Sequence, residues 1–260
     1  MRKKFWVILL TAIFFLTGAV LGVSVVYRVD LVTVEASLVS EEADAEAALL
    51  QDKLEEVYEK KSIFFAGDAE AKEVMKDFPY FRITGFEKSY PNRLIIKITE
   101  DAEIYAVERA EQGYYILGED GMVLGVRDTH INPLTGAESV LIKGVTVTGE
   151  NGAVPTGDEH FDGALALCKK LSALFGGIRS NIVSVEVFSR TPETIYRVTT
   201  REGVKIYFGA PTEQMEEKAE AAVNKYLSLT NEEKLSGRIV VSETAGRIFT
   251  SYAVKDEFES

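Results

Sequence analysis

Residues Asp77 to Asp101 read DFPYFRITGFEKSYPNRLIIKITED, and this stretch decides the fold class. Two β-rich runs, Tyr80 to Lys88 (YFRITGFEK) and Leu94 to Thr99 (LIIKIT), flank Tyr90-Pro91-Asn92, where proline presets φ and asparagine tolerates the turn. Leu94, Ile96 and Ile98 share one face of the second run, which therefore needs apolar cover. The sequence upstream supplies it. Asp68 is placed to cap a helix carrying Ala71, Val74, Met75 and Phe78 at i, i+3, i+4 and i+7, which Pro79 ends. Before that, an acidic, alanine-rich stretch from Ser40 to Lys61 sets Leu50, Leu54, Val57 and Tyr58 on one helical stripe. Its acidic run, Glu41 to Glu46, reads as a solvated helix face. Val29 to Glu35 (VDLVTVE) alternates as a strand. The predicted order is strand, helix, helix, strand, strand, a compact α+β unit.

Further upstream lies Phe5 to Tyr27, FWVILLTAIFFLTGAVLGVSVVY, which carries no charge. Its roughly 23 residues make a helix of about 34 Å, long enough for a bilayer. Arg2, Lys3 and Lys4 precede it, while Asp30, Glu35, Glu41, Glu42 and Asp44 follow with Arg28 opposing them. The positive-inside rule then places the amino terminus in the cytoplasm and everything after Tyr27 outside. A cleaved signal peptide shares the basic start, but its apolar core is usually shorter and ends at a small-x-small site, and no convincing A-x-A-like site closes the run here.

Downstream of Asp101 the sequence turns to strands: Glu103 to Arg109, Tyr114 to Leu117 and Met122 to Val126, the last two joined by the hairpin signal Glu119-Asp120-Gly121. One short strand is expected at Ser139 to Lys143. An amphipathic helix surrounds Cys168, with Phe161, Ala164, Leu165, Leu171 and Phe175 at helical spacing. Strands are expected at Ile182 to Phe188, at Thr194 to Thr200 and Val204 to Phe208 about Glu202-Gly203, and finally at Arg238 to Val241 and Arg247 to Tyr252. Between them a helix runs from about Pro211 to Leu229. The tail, VKDEFES, reads as disordered.

The chain has 260 residues, 46% of them hydrophobic, and a net charge of −12. Taking the three basic residues of the amino-terminal tip out of that total leaves −15 for the rest, so nucleic acid and anionic headgroups are poor partners. Cys168 is the single cysteine, which excludes an intrachain disulfide and reads as a small buried core residue. An enzyme needs a nucleophile, a base or a metal set. The two histidines, His130 and His160, lie at loop or helix-start positions. Asp128 with His130, or Asp158 with Glu159, His160 and Asp162, come nearest to a metal set, and Asp158 is better explained as a helix cap. No G-x-S-x-G, S-x-x-K, P-loop or dinucleotide fingerprint appears, and Gly176-Gly177 reads as a helix terminator. The expectation is a binding module with no catalytic residue, cofactor, metal or small-molecule substrate.

The run SIFF (Ser62 to Phe65), the short helix and Asp77 to Asp101 together resemble the POTRA domain of the FtsQ/DivIB bacterial cell-division proteins. Pro79, Tyr80, Tyr90, Pro91, Asn92, Leu94, Ile96, Ile98 and Glu100 occupy that pattern's positions, whereas Ala36 stands where the family usually has glycine and Asp101 where it commonly has arginine. YYILGEDGMVLGV (Tyr114 to Val126) is similar to a hairpin of the family's β-domain. The resemblance implies residues 1–4 as a cytoplasmic tip, 5–27 as a transmembrane helix, 28–100 as a βααββ POTRA domain, 101–253 as a mixed β-domain with two helices, and 254–260 as a disordered tail. It further implies a non-enzymatic divisome scaffold, single-pass and N-in, C-out in the cell membrane at the septum. POTRA would serve recruitment, and a β-domain edge would receive a strand from a DivIC/FtsB-like partner that is itself paired with an FtsL-like one. The positions matching that edge are Arg247, Ile248, Phe249, Thr250, Ser251 and Tyr252, with Ile248, Phe249 and Tyr252 as apolar anchors. Two other classes compete: a POTRA-bearing transport component, which would need many alternating membrane strands, and a membrane-anchored extracytoplasmic enzyme or sensor.

Overall fold

The computed structural model describes residues 11, 13–15, 17–18, 22, 25–38, 41–133, 135–189, 193–209 and 213–254. It divides into two compact units, Met1–Asp101 and Ala102–Ser260. The fold is α+β with mixed sheets. Most of the Phe5 to Tyr27 stretch lies outside the described residues. Its described members are helical up to Val26, with Ile13, Phe14 and Phe15 exposed. Among the described residues, no helix is long and apolar enough to cross a membrane. Residues 255–260, most of the expected tail, also lie outside.

The first unit runs β1 (Leu31–Ser37), α1 (Glu41–Tyr58), α2 (Asp68–Met75), β2 (Phe81–Ser89) and β3 (Arg93–Glu100). Its sheet order is β1-β3-β2. The two helices form the crossover that a parallel pair requires, and they return the chain so that Val32 lies opposite Leu94 and Val34 opposite Ile96. β2 pairs antiparallel with β3, with a register shift between Ile83 and Gly85. Leu94, Ile96 and Ile98 are buried together with Leu50, Leu54 and Tyr58 of α1 and Ala71 and Met75 of α2. Each such aliphatic side chain contributes about 1.5–3 kcal/mol on burial. Asp68 does not cap α2. Gly67 takes the N-cap position without a side-chain hydrogen bond, and Asp68, one residue inside, pairs with Lys72 at 2.5 Å.

The second unit contains β4 (Tyr105–Arg109), β5 (Tyr114–Leu117), β6 (Val123–Arg127), β7 (Val140–Val147), α3 (Phe161–Phe175), β8 (Ile182–Ser189), β9 (Ile195–Thr200), β10 (Lys205–Gly209), α4 (Met215–Leu227), a 3-10 turn (Glu233–Leu235), β11 (Arg238–Thr244) and β12 (Arg247–Ala253). One nine-stranded sheet runs β12-β11-β10-β9-β8-β7-β4-β5-β6. The pairs β4–β7, β7–β8 and β10–β11 are parallel and the others antiparallel. α3 lies against β7 and β8, α4 against β11 and β12, and the two helices touch each other. Phe161, Ala164, Leu165, Cys168 and Leu171 of α3 and Ala219, Ala222, Val223 and Tyr226 of α4 join strand residues such as Ile142, Val185, Ile206 and Val241 in one core.

β7 continues four residues beyond the strand expected at Ser139 to Lys143. Gly144, where the sequence suggests an end, has φ +73, and a Cβ there would stand 2.5 Å from the Val187 carbonyl oxygen. A glycine at such a close approach bends the strand without ending it. Gly176 ends α3 in the left-handed conformation, its amide returning to the Ser172 carbonyl. Asp158 does not act as the α3 N-cap, a position His160 takes. Its carboxylate accepts instead from the His160 amide at 3.0 Å and the Thr146 amide at 3.1 Å, bracing the loop before the helix.

Candidate functional site: an open sheet edge

β11 and β12 form a hairpin closed by Ala245 (φ 53) and Gly246 (φ 73). Positive φ at both central positions is the type I′ turn that matches strand twist. Ala245 occupies it at a cost of about 1 kcal/mol. The Gly246 amide donates to the Glu243 carboxylate at 2.9 Å, securing the turn. In a two-residue hairpin the closing residues are hydrogen-bonded to each other, and bonded pairs then alternate along the ladder. Arg247, Phe249, Ser251 and Ala253 therefore direct their backbone groups toward Thr244, Ser242, Val240 and Arg238. The backbone groups of Ile248, Thr250 and Tyr252 face away from β11, along the sheet margin. Among the described residues, no strand lies beyond β12.

The side chains divide the same way. Ile248 and Tyr252 pack against the core, whereas Phe249, on the opposite face, is 51% exposed. Of the three expected anchors, Phe249 alone is presented outward. Tyr252 is a positioning residue: its hydroxyl donates toward the Glu233 carbonyl at 2.9 Å and the Ser236 carbonyl at 3.1 Å. Burial, then the nearby Glu233 carboxylate, push its phenol up. The Thr230 amide and hydroxyl hold the Glu233 carboxyl low. Gly237 (φ +94) lets β12 come close, since a Cβ there would stand 2.5 Å from the Ala253 carbonyl oxygen and 2.9 Å from the Tyr252 hydroxyl.

The far margin differs. β6 is five residues long, and the loop beyond β7 covers its start: the Val123 amide donates to Ala153 O at 2.9 Å and the Gly152 amide donates to Val123 O at 2.8 Å. Its end is tied down where Arg127 donates to Glu103 at 2.5 Å, and Asn132 donates to the same carboxylate oxygen at 3.0 Å. No sequence signal marked this latch, because its members lie 24 and 29 positions apart.

On the face of the sheet that carries Phe249, Arg197 donates to Glu186 at 2.5 Å, its guanidinium stands 4.5 Å from the Phe188 ring centre, and Phe188 meets Tyr207 edge to face at 5.6 Å. Val240 lies beside Tyr207 and Ser251 beside Val240, so this surface continues strand by strand to the edge. Alternation within each strand indicated two faces but not that these residues from separate hairpins would meet.

The remaining motif residues belong to the first unit. Pro79 and Tyr80 precede β2, where the Tyr80 carbonyl accepts the Asp101 amide at 2.8 Å. Asp101, buried, pairs with Arg82 at 3.2 Å. Tyr90 and Pro91, joined by a cis peptide, and Asn92 turn β2 into β3, and the Asn92 carbonyl accepts the Asp30 amide at 2.9 Å.

Among the described residues, no three His, Cys, Asp or Glu side chains gather to hold a metal. His130 meets Tyr114 edge to face at 5.5 Å, and His160 approaches Glu159 at 3.6 Å. A cleft of about 530 Å³ beside the end of α3 is lined by Glu119, Glu138, Ser172, Ser180, Arg179 and Arg201, among others. Arg201 is paired with Glu138 at 3.0 Å, and neither histidine nor cysteine is among the residues that line the cleft. No family model matches the chain, and no curated protein matches it significantly in sequence.

Proposed function

We propose that the chain is a non-enzymatic, membrane-anchored scaffold of the bacterial divisome, of the FtsQ/DivIB kind. Residues Phe5 to Tyr27 anchor it in the cell membrane with its amino terminus in the cytoplasm and both units outside, and it acts at the division septum. The first unit serves recruitment. The second accepts a strand from a DivIC/FtsB-like partner, paired with an FtsL-like one, along β12.

The observation that carries this reading is the edge itself. β12 is seven residues long, its outward backbone groups belong to Ile248, Thr250 and Tyr252, and Phe249 stands exposed beside them. Natural edges are usually blunted by lysine, proline, a bulge or short length, and β12 contains no lysine or proline. Strand addition draws affinity from main-chain hydrogen bonds and specificity from alternate side chains, and this edge offers both. The strand order β1-β3-β2 across two helices supports the POTRA reading, as do the motif positions Pro79, Tyr80, Tyr90, Pro91 and Asn92.

The test uses the full-length chain in dividing cells, tagged at its amino terminus. Thr250→Pro removes an outward N–H while leaving the ladder to β11 intact, and Phe249→Lys removes the exposed ring. Both variants are expected to fold, to lose co-purification of the DivIC/FtsB-like and FtsL-like proteins, and to fail in septation. Unchanged co-purification by both, or a wild-type protein spread evenly around the envelope throughout division, would overturn the proposal.

A further inference from the structure

The first unit carries an aromatic cluster at the point where the apolar amino-terminal stretch ends. Three chain segments converge there. The Ile63 amide donates to the Tyr27 carbonyl and the Val29 amide to the Lys61 carbonyl, at 2.9 and 2.8 Å. The Asp30 amide is held at 2.9 Å by Asn92, in the turn between β2 and β3. These bonds bring three rings together: Tyr27 and Phe64 at 4.9 Å between centroids, Phe64 and Tyr90 at 5.7 Å, Tyr27 and Tyr90 at 6.3 Å. Phe65, next in the Ser62–Ala66 turn, joins no core and is 88% exposed.

The distribution of exposed apolar surface is uneven. Among the described residues between Arg28 and Asp101, the exposed large hydrophobic ones are Leu31, Leu49, Phe64, Phe65 and Tyr90, and all but Leu49 lie in these three converging segments. A contiguous aromatic patch left in water is unfavourable, and it marks a surface that meets something. What it meets is set by where the chain goes. Tyr27 is both a member of the cluster and the last residue of the uncharged run, and Val25 and Val26 just before it are exposed. If that run crosses a bilayer, the cluster lies at the lipid–water boundary, where aromatic rings concentrate because they have an apolar body and, for tyrosine, a polar tip. Arg28, Lys88 and Arg93 flank the same segments, with alkyl stems suited to an interface and heads suited to water.

We infer that Tyr27, Phe64, Phe65 and Tyr90 form a membrane-seating face, by which the first unit rests in the interfacial layer of the lipid bilayer that holds its anchor. The ligand is a lipid surface, and the contact depends on aromatic burial, not on lipid charge. This inference rests on the membrane anchoring proposed above. It adds that the first unit is seated at a defined orientation and is not swinging freely on a tether.

The experiment uses the full chain reconstituted in vesicles of zwitterionic phosphatidylcholine. Trp6 is the only tryptophan, so Trp6→Phe clears the fluorescence background. Single reporters are then introduced as Phe65→Trp, as Tyr90→Trp, and as Leu49→Trp for a control nine residues, about 13 Å of helix rise, before the end of α1. The expected result is blue-shifted emission from Phe65→Trp and Tyr90→Trp, at least halved by lipids brominated near the glycerol end of the acyl chain and less affected by deep bromines. Leu49→Trp should emit as in water and stay unquenched. Water-like, unquenched emission from both reporters in vesicles that retain the chain through an alkaline carbonate wash overturns the seating face alone. Release of the chain by that wash overturns the anchoring and this inference with it.

Discussion

The Tyr58 hydroxyl accepts the Ala71 amide at 3.0 Å and donates to the Gly67 carbonyl at 2.5 Å. Gly67 and Ala71 are four apart, the separation a helix joins directly, so the phenol of α1 stands inside the first turn of α2. Tyr58→Phe should destabilise the first unit by about 1–2 kcal/mol, as loss of a buried hydrogen-bonded group does. Chemical denaturation of both proteins measures it.

The same phenol predicts a pH dependence. Burial, the largest cause, raises its pKa from 10 to about 12, partly opposed by the Ala71 amide. The folded state therefore favours the neutral form. Its contribution is fully present below pH 10 and is lost as pH rises toward 12. The stability difference between wild type and Tyr58→Phe should be constant below pH 10 and narrow above it; a difference that widens instead would refute the assignment.

Proline at neighbouring β12 positions should give opposite results. Phe249→Pro removes a donor that the register directs to Ser242, whereas Thr250→Pro removes one directed outward. The first should cost at least about 2 kcal/mol more than the second. Thermal or denaturant unfolding of the two variants tests the register independently of any partner.

Gly163 lies within α3, where alanine would ordinarily add about 1 kcal/mol of stability. A Cβ there would instead overlap the Tyr196 hydroxyl and stand 3.3 Å from its ring carbon. That ring is fully buried, and its hydroxyl donates to the His160 carbonyl at 3.0 Å, so it has little room to retreat. Gly163→Ala should destabilise by about 1–3 kcal/mol, as overpacking does, and a melting temperature at or above wild type would contradict it.

Cys168 is fully buried, and burial pushes its thiol well above the ordinary range. A disulfide reagent at neutral pH should leave the native protein unmodified for as long as it stays folded and react with one thiol per chain in denaturant.

Period-two and helical spacing revealed the elements with little ambiguity, because both sheets are buried on a face that alternation records. The stripes Leu50–Leu54–Tyr58 and Leu94–Ile96–Ile98 meet as expected. Other features depended on partners far away in sequence. Asp68 and Asp158 carry the right residue type for a cap, yet α2 begins at Asp68 itself, with Gly67 at its N-cap, and α3 begins three residues after Asp158. The capping preference is local, whereas the helix start is also set by packing. The parallel placement of β1 beside β3, the bend at Gly144 and the Glu103–Arg127–Asn132 latch have no short-range signature. At β12, alternation showed that Phe249 and Tyr252 face opposite ways; only the position of α4 shows which of them faces the core.

The uncovered margin of β12 has a consequence for the cell's supply of this chain. Two copies could join β12 to β12, and each copy whose β12 stays uncovered carries that hazard. Under the role proposed above, synthesis would have to be kept scarce and matched to the partner's, and surplus molecules should be the first that proteases remove. The strand proposed to make assembly possible would also set how much of the protein can be tolerated.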